Sequence, residues 1–127
     1  MRVLIVEDEA SVRTFLCRAV ACLMPGAQVV SEADGRQALV SFLASPADLV
    51  ISDNRMPHMT GLDLLHALRE RSAVPFIMVS AEPAFERRAT LAGASACISK
   101  PLTLSDLRTA ICSAMATPMN YTEPCAK

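Results

Sequence analysis

Four apolar stretches of this chain end in residues able to do chemistry. Arg2 to Val6 runs into Glu7-Asp8-Glu9, Leu49 to Ser52 ends at Asp53, Phe76 to Val79 ends at Ser80, and Ala96 to Ser99 runs into Lys100-Pro101. Taken alone, an Asp before a turn is a turn former or a reactive group, because its side chain bonds nearby backbone. Gathered together, Glu7, Asp8 and Asp53 would repel and raise one another's pKa unless a cation compensated. An all-oxygen site of that kind suits a hard divalent ion, Mg²⁺, bound by one or two carboxylates with waters and a phosphate. A carboxylate nucleophile, a metal, a hydroxyl and a fixed ammonium together make a phosphoryl-transfer site, since that reaction is catalysed largely by positioning and charge neutralisation.

The elements between these stretches decide whether the residues meet. After the first strand, Val12, Phe15, Leu16, Ala19, Val20 and Leu23 recur at three- and four-residue steps and predict a helix over 10–23, stopped by Met24-Pro25-Gly26. Ala27 to Ser31 reads as the second strand, Asp34-Gly35 as a turn, and 36–44 as a helix burying Ala38, Leu39, Phe42 and Leu43. Leu49 to Asp53 is the third strand. Residues 61–71 form the next helix, with Leu62, Leu65 and Leu68 inward, before the fourth strand over 76–79. A short helix over 84–92 is closed by Gly93, and Ala96 to Ser99 is the fifth strand. Thr103 opens the last helix with Asp106 at capping-box spacing, and Leu104, Leu107, Ile111 and Ala114 face inward.

Five strand-then-helix repeats imply an α/β fold: a doubly wound five-stranded parallel sheet with five helices, flavodoxin-like. For the strand order 2-1-3-4-5 the crevice lies outside the carboxyl ends of strands one and three, which places Glu7, Asp8 and Asp53 together.

Composition narrows the functional class. The 127 residues carry a net charge of −1, with 20% charged and 52% hydrophobic, so neither nucleic acid nor an anionic membrane surface is expected as a partner. No apolar run reaches the roughly 20 residues a membrane span needs, and the start of the chain turns acidic too soon for a signal peptide. The expected location is cytoplasmic. Five cysteines, Cys17, Cys22, Cys97, Cys112 and Cys125, include no C-x-x-C pair and read as small hydrophobes.

Over residues 1–116 the sequence resembles a response-regulator receiver domain of two-component signalling. The resemblance rests on Glu7-Asp8, Asp53 with Met56-Pro57 and Gly61 after it, Ser80-Ala81, Gly93-Ala94 and Lys100-Pro101, in family order. It implies that Asp53 accepts a phosphoryl group from the phosphohistidine of a histidine kinase or histidine phosphotransfer protein. It further implies that Asp8 and Asp53 ligate Mg²⁺, with Glu7 helping through water and the Arg55 backbone carbonyl supplying another ligand. Lys100 would contact the phosphoryl oxygens, Ser80 would swing to bond them, and the Lys100–Pro101 peptide would be cis. The protein is then not an enzyme in the ordinary sense but a phosphoacceptor that assists its own phosphorylation and dephosphorylation.

Departures from the family pattern matter too. Glu7 stands where Asp is common, and Cys97 where an aromatic switch residue is common. Arg55 and Glu82 occupy positions that, as the resemblance implies, tune the lifetime of the acyl phosphate in this family; they pair across the site or stand solvated. The stretch from Ser80 to Gly93 is short, so a brief or displaced fourth helix is expected. His58 and His66 have no orienting partner and read as ordinary surface or helix residues.

Three other functions compete. A haloacid-dehalogenase-like phosphatase needs a second Asp where this chain has Arg55. A flavodoxin-like cofactor binder would cradle phosphate on the loop where three acids stand, and a receiver-like adaptor acting without phosphorylation would not need the full acceptor set. The expectation is a single-domain response regulator over 1–116, a loosely ordered tail over 117–127, and output through a downstream protein target or a homodimer.

Overall fold

The computed structural model describes residues 1–116, so the tail expected over 117–127, with Cys125, lies outside the described residues. Strands β1 (Arg2–Val6), β2 (Gln28–Glu32), β3 (Leu49–Asp53), β4 (Phe76–Ser80) and β5 (Ala96–Ser99) alternate with helices α1 (Ala10–Leu23), α2 (Gly35–Ala44), α3 (Gly61–Arg69), α4 (Phe85–Leu91) and α5 (Leu104–Met115). The sheet is parallel throughout, in the order β2-β1-β3-β4-β5. Every residue of β3 and β4 is buried, as a strand covered on both faces requires. The register pairs Val6 with Ser52 and Asp53 with Val79, so β3 ends one residue beyond β1, β4 one beyond β3, and all three present their last residues to one edge.

Two apolar layers flank the sheet. Alternate residues Leu4, Val6, Val50, Phe76 and Met78 pack with Ala38 and Phe42 of α2, Leu64, Leu65 and Leu68 of α3, and Phe85 and Ala89 of α4. Val3, Ile5, Leu49, Ile51, Ile77 and Val79 face the other way, onto Leu16, Ala19 and Val20 of α1 and Leu107, Ala110, Ile111 and Ala114 of α5. Helix starts are fixed by their caps. Asp34 Oδ1 accepts from the Gln37 N–H at 2.8 Å, and Thr60 with Asp63 and Thr103 with Asp106 form reciprocal capping boxes. Each such cap is worth about 1 kcal/mol.

Several sequence expectations are corrected. Spacing predicts Phe15, Leu43 and Leu104 inward, yet they are 41%, 47% and 39% exposed. A stripe drawn at three- and four-residue steps spans nearly half a helix, whereas the sheet covers only its middle; Leu64 and Ala110, not singled out, are buried there instead. Gly35 belongs to α2 rather than to a turn, because Asp34 is the cap. α3 stops at Arg69, short of Arg71, and β2 is shifted by one residue to Glu32. α4 is brief, with seven residues, and Gly93 follows its end at φ +108°, a conformation that strains any side chain.

Candidate functional site at the strand tips

The tips of β1 and β3 bring the acids together. Glu7, Asp8 and Asp53 each offer a carboxylate oxygen, and these oxygens lie within 4.8 Å of one another. Glu7 and Asp53 are 1% and 4% exposed, whereas Asp8 faces solvent. From the end of β5, Lys100 reaches back across the sheet edge, its Nζ lying 2.8 Å from Asp53 Oδ1 and 3.5 Å from Glu7 Oε1. The Lys100–Pro101 peptide that follows is cis.

Charge and burial set the protonation of this cluster. Burial, then the charge of Asp53, pushes the Glu7 carboxyl up to about 7 from an ordinary 4.5, against the Glu9 N–H that donates to its Oε2 at 3.2 Å and against Lys100. Burial also raises Asp53, with Asp8 adding to it; the hydrogen bond and charge of Lys100 oppose this without reversing it. Burial works against the Lys100 ammonium, but the hydrogen bond to Asp53 and the charges of Asp53 and Glu7 hold its pKa above the ordinary value. One ammonium thus faces three carboxyl groups. The hard-oxygen donors and their excess of negative charge fit a divalent cation of the Mg²⁺ type.

Of the rest of the predicted set, Ser80, Arg55 and Glu82 stand at the same edge of the sheet as these four, and Cys97, His58 and His66 do not join them. Ser80, at the end of β4, is buried, and its Oγ accepts from the Glu82 N–H at 3.1 Å. Arg55 and Glu82 are exposed and line, with Asp8, Asn54, Met56 and Thr60, a hollow of about 600 Å³ beside the acids. No ion pair joins Arg55 to Glu82 among the described residues, which leaves them as solvated side chains. Cys97 sits half-buried on β5 opposite Met78, against the layer that holds α4. Burial, with Glu86 nearby, raises its thiol pKa. His66 is exposed on α3. His58 is exposed too, but it stands at φ +69° inside a tight turn in which the Met59 N–H donates to the Pro57 carbonyl at 2.7 Å.

Two neighbours of Asp53 were not singled out from the sequence. Ser52 is wholly buried, and its Oγ donates at 2.9 Å to the Asp53 backbone carbonyl. Asn54 Oδ1 accepts from the Leu62 N–H at 3.2 Å while its backbone carbonyl accepts from Gly61 at 2.9 Å, tying the tip of β3 to the start of α3. The approach is close enough that a Cβ at Gly61 would run into the Asp53 carbonyl oxygen. An Asn between a strand end and a capped helix is the trace this leaves in the sequence.

An acid cluster with an apposed lysine at the switch point of a doubly wound sheet defines a class of phosphoryl-handling signalling domains, and comparison with known proteins agrees. Residues 3–112 match the model of the response regulator receiver domain. The chain belongs to that family, whose members are phosphoacceptors of two-component signalling. It is 33% identical over 116 residues to the probable chemotaxis protein CheY of Rhizobium etli, covering 87% of this chain and 89% of that one. It is 37% identical over 112 residues to the sensor histidine kinase TmoS of Ectopseudomonas mendocina, covering 84% of this chain but 11% of the kinase. It also spans 54% of the transcriptional regulatory protein PdtaR of Mycobacterium tuberculosis, at 36% identity over 113 residues and 87% of this chain. Among solved structures, the chemotaxis response regulator CheY4 of Vibrio cholerae superposes with a TM-score of 0.81 at 29% identity, covering 90% of this chain and 98% of that one. Among the described residues no helix is long and apolar enough to cross a membrane.

Proposed function

We propose that Asp53 is the phosphoacceptor, taking its phosphoryl group from the phosphohistidine of a histidine kinase or phosphotransfer protein. In that step an Asp53 carboxylate oxygen forms a new O–P bond as the donor's N–P bond breaks, and the leaving imidazole keeps the electron pair and takes up a proton from solvent. The reading is carried by the 2.8 Å contact between Lys100 Nζ and Asp53 Oδ1 beside two further carboxylates. In this reading Lys100 follows the charge from the carboxylate onto the phosphoryl oxygens, and Ser80 offers its hydroxyl to them. Asp8, Asp53 and the Arg55 carbonyl would hold Mg²⁺, with Glu7 assisting through water. Bound there, Mg²⁺ supplies neutralisation of the phosphoryl charge.

The modified Asp53 then alters a protein-binding surface that a downstream partner, or a second copy of the chain, reads. Incubation with acetyl phosphate and Mg²⁺ is expected to label Asp53 at one phosphoryl per chain, and the Asp53→Asn protein to take up none. Full labelling of Asp53→Asn on another side chain would refute the assignment.

A further inference from the structure

We infer that Arg13, on the first turn of α1, is a positioning residue for the acidic cluster, acting through the peptide groups of the Glu7-Asp8-Glu9 turn; the inference rests on the metal-site reading above. Its Nη1 donates to the Glu7 carbonyl at 2.8 Å and to the Asp8 carbonyl at 3.4 Å. It makes these bonds to the backbone of two residues whose side chains form the cluster.

A trans peptide turns its C=O and N–H to opposite sides. Drawing the Asp8 carbonyl toward α1 therefore turns the Glu9 N–H the other way, and that N–H donates to Glu7 Oε2 at 3.2 Å. The chain of contacts runs from guanidinium to carbonyl, through one rigid plane, to the carboxylate. Drawing the Glu7 carbonyl the same way fixes the plane from which Asp8 departs. Three carboxylates within 4.8 Å push apart, and the turn that carries two of them has no side-chain cap of its own at Glu9. A cation near a helix N-terminus is opposed by the helix dipole, so Arg13 holds this place through its specific bonds and not through the general field.

The sign of one measurement separates positioning from a mere neighbouring charge. Removing a positive charge near a cation site, with nothing else changed, tightens cation binding; releasing the turn weakens it. Mg²⁺ affinity measured by titration calorimetry at two salt concentrations is expected to fall about 10-fold in Arg13→Met, the scale of groups that orient metal ligands from behind. The loss persists at high salt, where through-space charge effects are screened. In the same protein without metal, hydrogen exchange at the Glu9 amide is expected to quicken. Arg13→Gln, which keeps a shorter donor, is expected to fall between the two and serves should Arg13→Met fail to fold. Unchanged or tighter Mg²⁺ binding overturns the inference, as does weaker binding with Glu9 exchange unaltered. A wild-type protein that binds no Mg²⁺ would instead overturn the metal-site reading itself.

Discussion

Lys100 and Asp53 stand at the ends of strands separated by β4, yet Lys100 Nζ lies 2.8 Å from Asp53 Oδ1. The long side chain crosses the end of β4 to reach Asp53, and Glu7 Oε1 at 3.5 Å steadies it from the far side. On the proposed reading, part of the charge of a phosphoryl group on Asp53 would be met by a group already in place. Lys100→Met should slow labelling by acetyl phosphate by about 10²- to 10³-fold, the cost of losing one preorganised donor. Mg²⁺ binding should be retained. A rate within a factor of two of wild type would remove Lys100 from the reaction.

Glu7 and Asp8 differ in burial, and their variants should differ accordingly. On the proposed metal-site reading, Asp8→Ala removes a solvent-facing carboxylate that would bind the ion directly and should weaken Mg²⁺ binding strongly, whereas Glu7→Gln, which would act through water, should weaken it less. A Mg²⁺ titration in which both variants match wild type would mean that these carboxylates do not form the site.

The raised Glu7 pKa also predicts a pH dependence in the metal-free protein. Folding disfavours the charged form of Glu7, so its contribution to stability is fully present below the unfolded value of 4.5 and is lost as pH rises through about 7. The loss is on the order of 1–3 kcal/mol. With EDTA present, Glu7→Gln should therefore melt higher than wild type at pH 8 and nearly alike at pH 5. Added Mg²⁺ should erase or reverse the advantage at pH 8. A melting difference independent of pH would show that burial does not hold Glu7 away from its ordinary range.

Gly61 leaves room for the Asp53 carbonyl, which a Cβ there would strike. Gly61→Ala should cost about 1–3 kcal/mol by overpacking. Since the push falls on the backbone of Asp53, the proposed acceptor, labelling should slow as well. Unchanged denaturant midpoint and unchanged labelling would show that the start of α3 shifts freely.

The strand tips were legible because each apolar run ends abruptly on a polar residue, and the parallel topology follows from the alternation of those runs with helical periods. Asp53, Asp8 and Lys100 are marked in this way by local sequence. Boundaries and facing were less legible because side chains settle them through space. α3 ends at Arg69, where the guanidinium leaves the helix surface to donate to the Gly93 carbonyl at 2.8 Å and the Ser72 carbonyl at 3.3 Å. Nothing in the spacing of Leu62, Leu65 and Leu68 announces that partner, 24 residues on. The bond that Ser52 makes beside Asp53 was equally hidden, and the trace left by Asn54 fits a plain turn as well as a brace.

The last prediction concerns how phosphorylation of Asp53 would reach the surface formed by α4, β5 and α5. Ser80 Oγ is held by the Glu82 N–H at 3.1 Å, at the start of the loop that leads into α4. If the hydroxyl turns toward a phosphoryl group on Asp53, that bond to Glu82 is released and the loop is free to move. Cys97 lies on β5 with its side chain half-buried. A thiol of this size packs nearly alike in both states, and a ligand shifts an equilibrium only through a difference between states. Ser80→Ala should therefore uncouple phosphorylation from partner affinity, or from amide shifts along α4, while Cys97→Ala leaves the response intact. The opposite pattern, with Cys97→Ala uncoupled and Ser80→Ala normal, would place the switch on β5 and not on the loop.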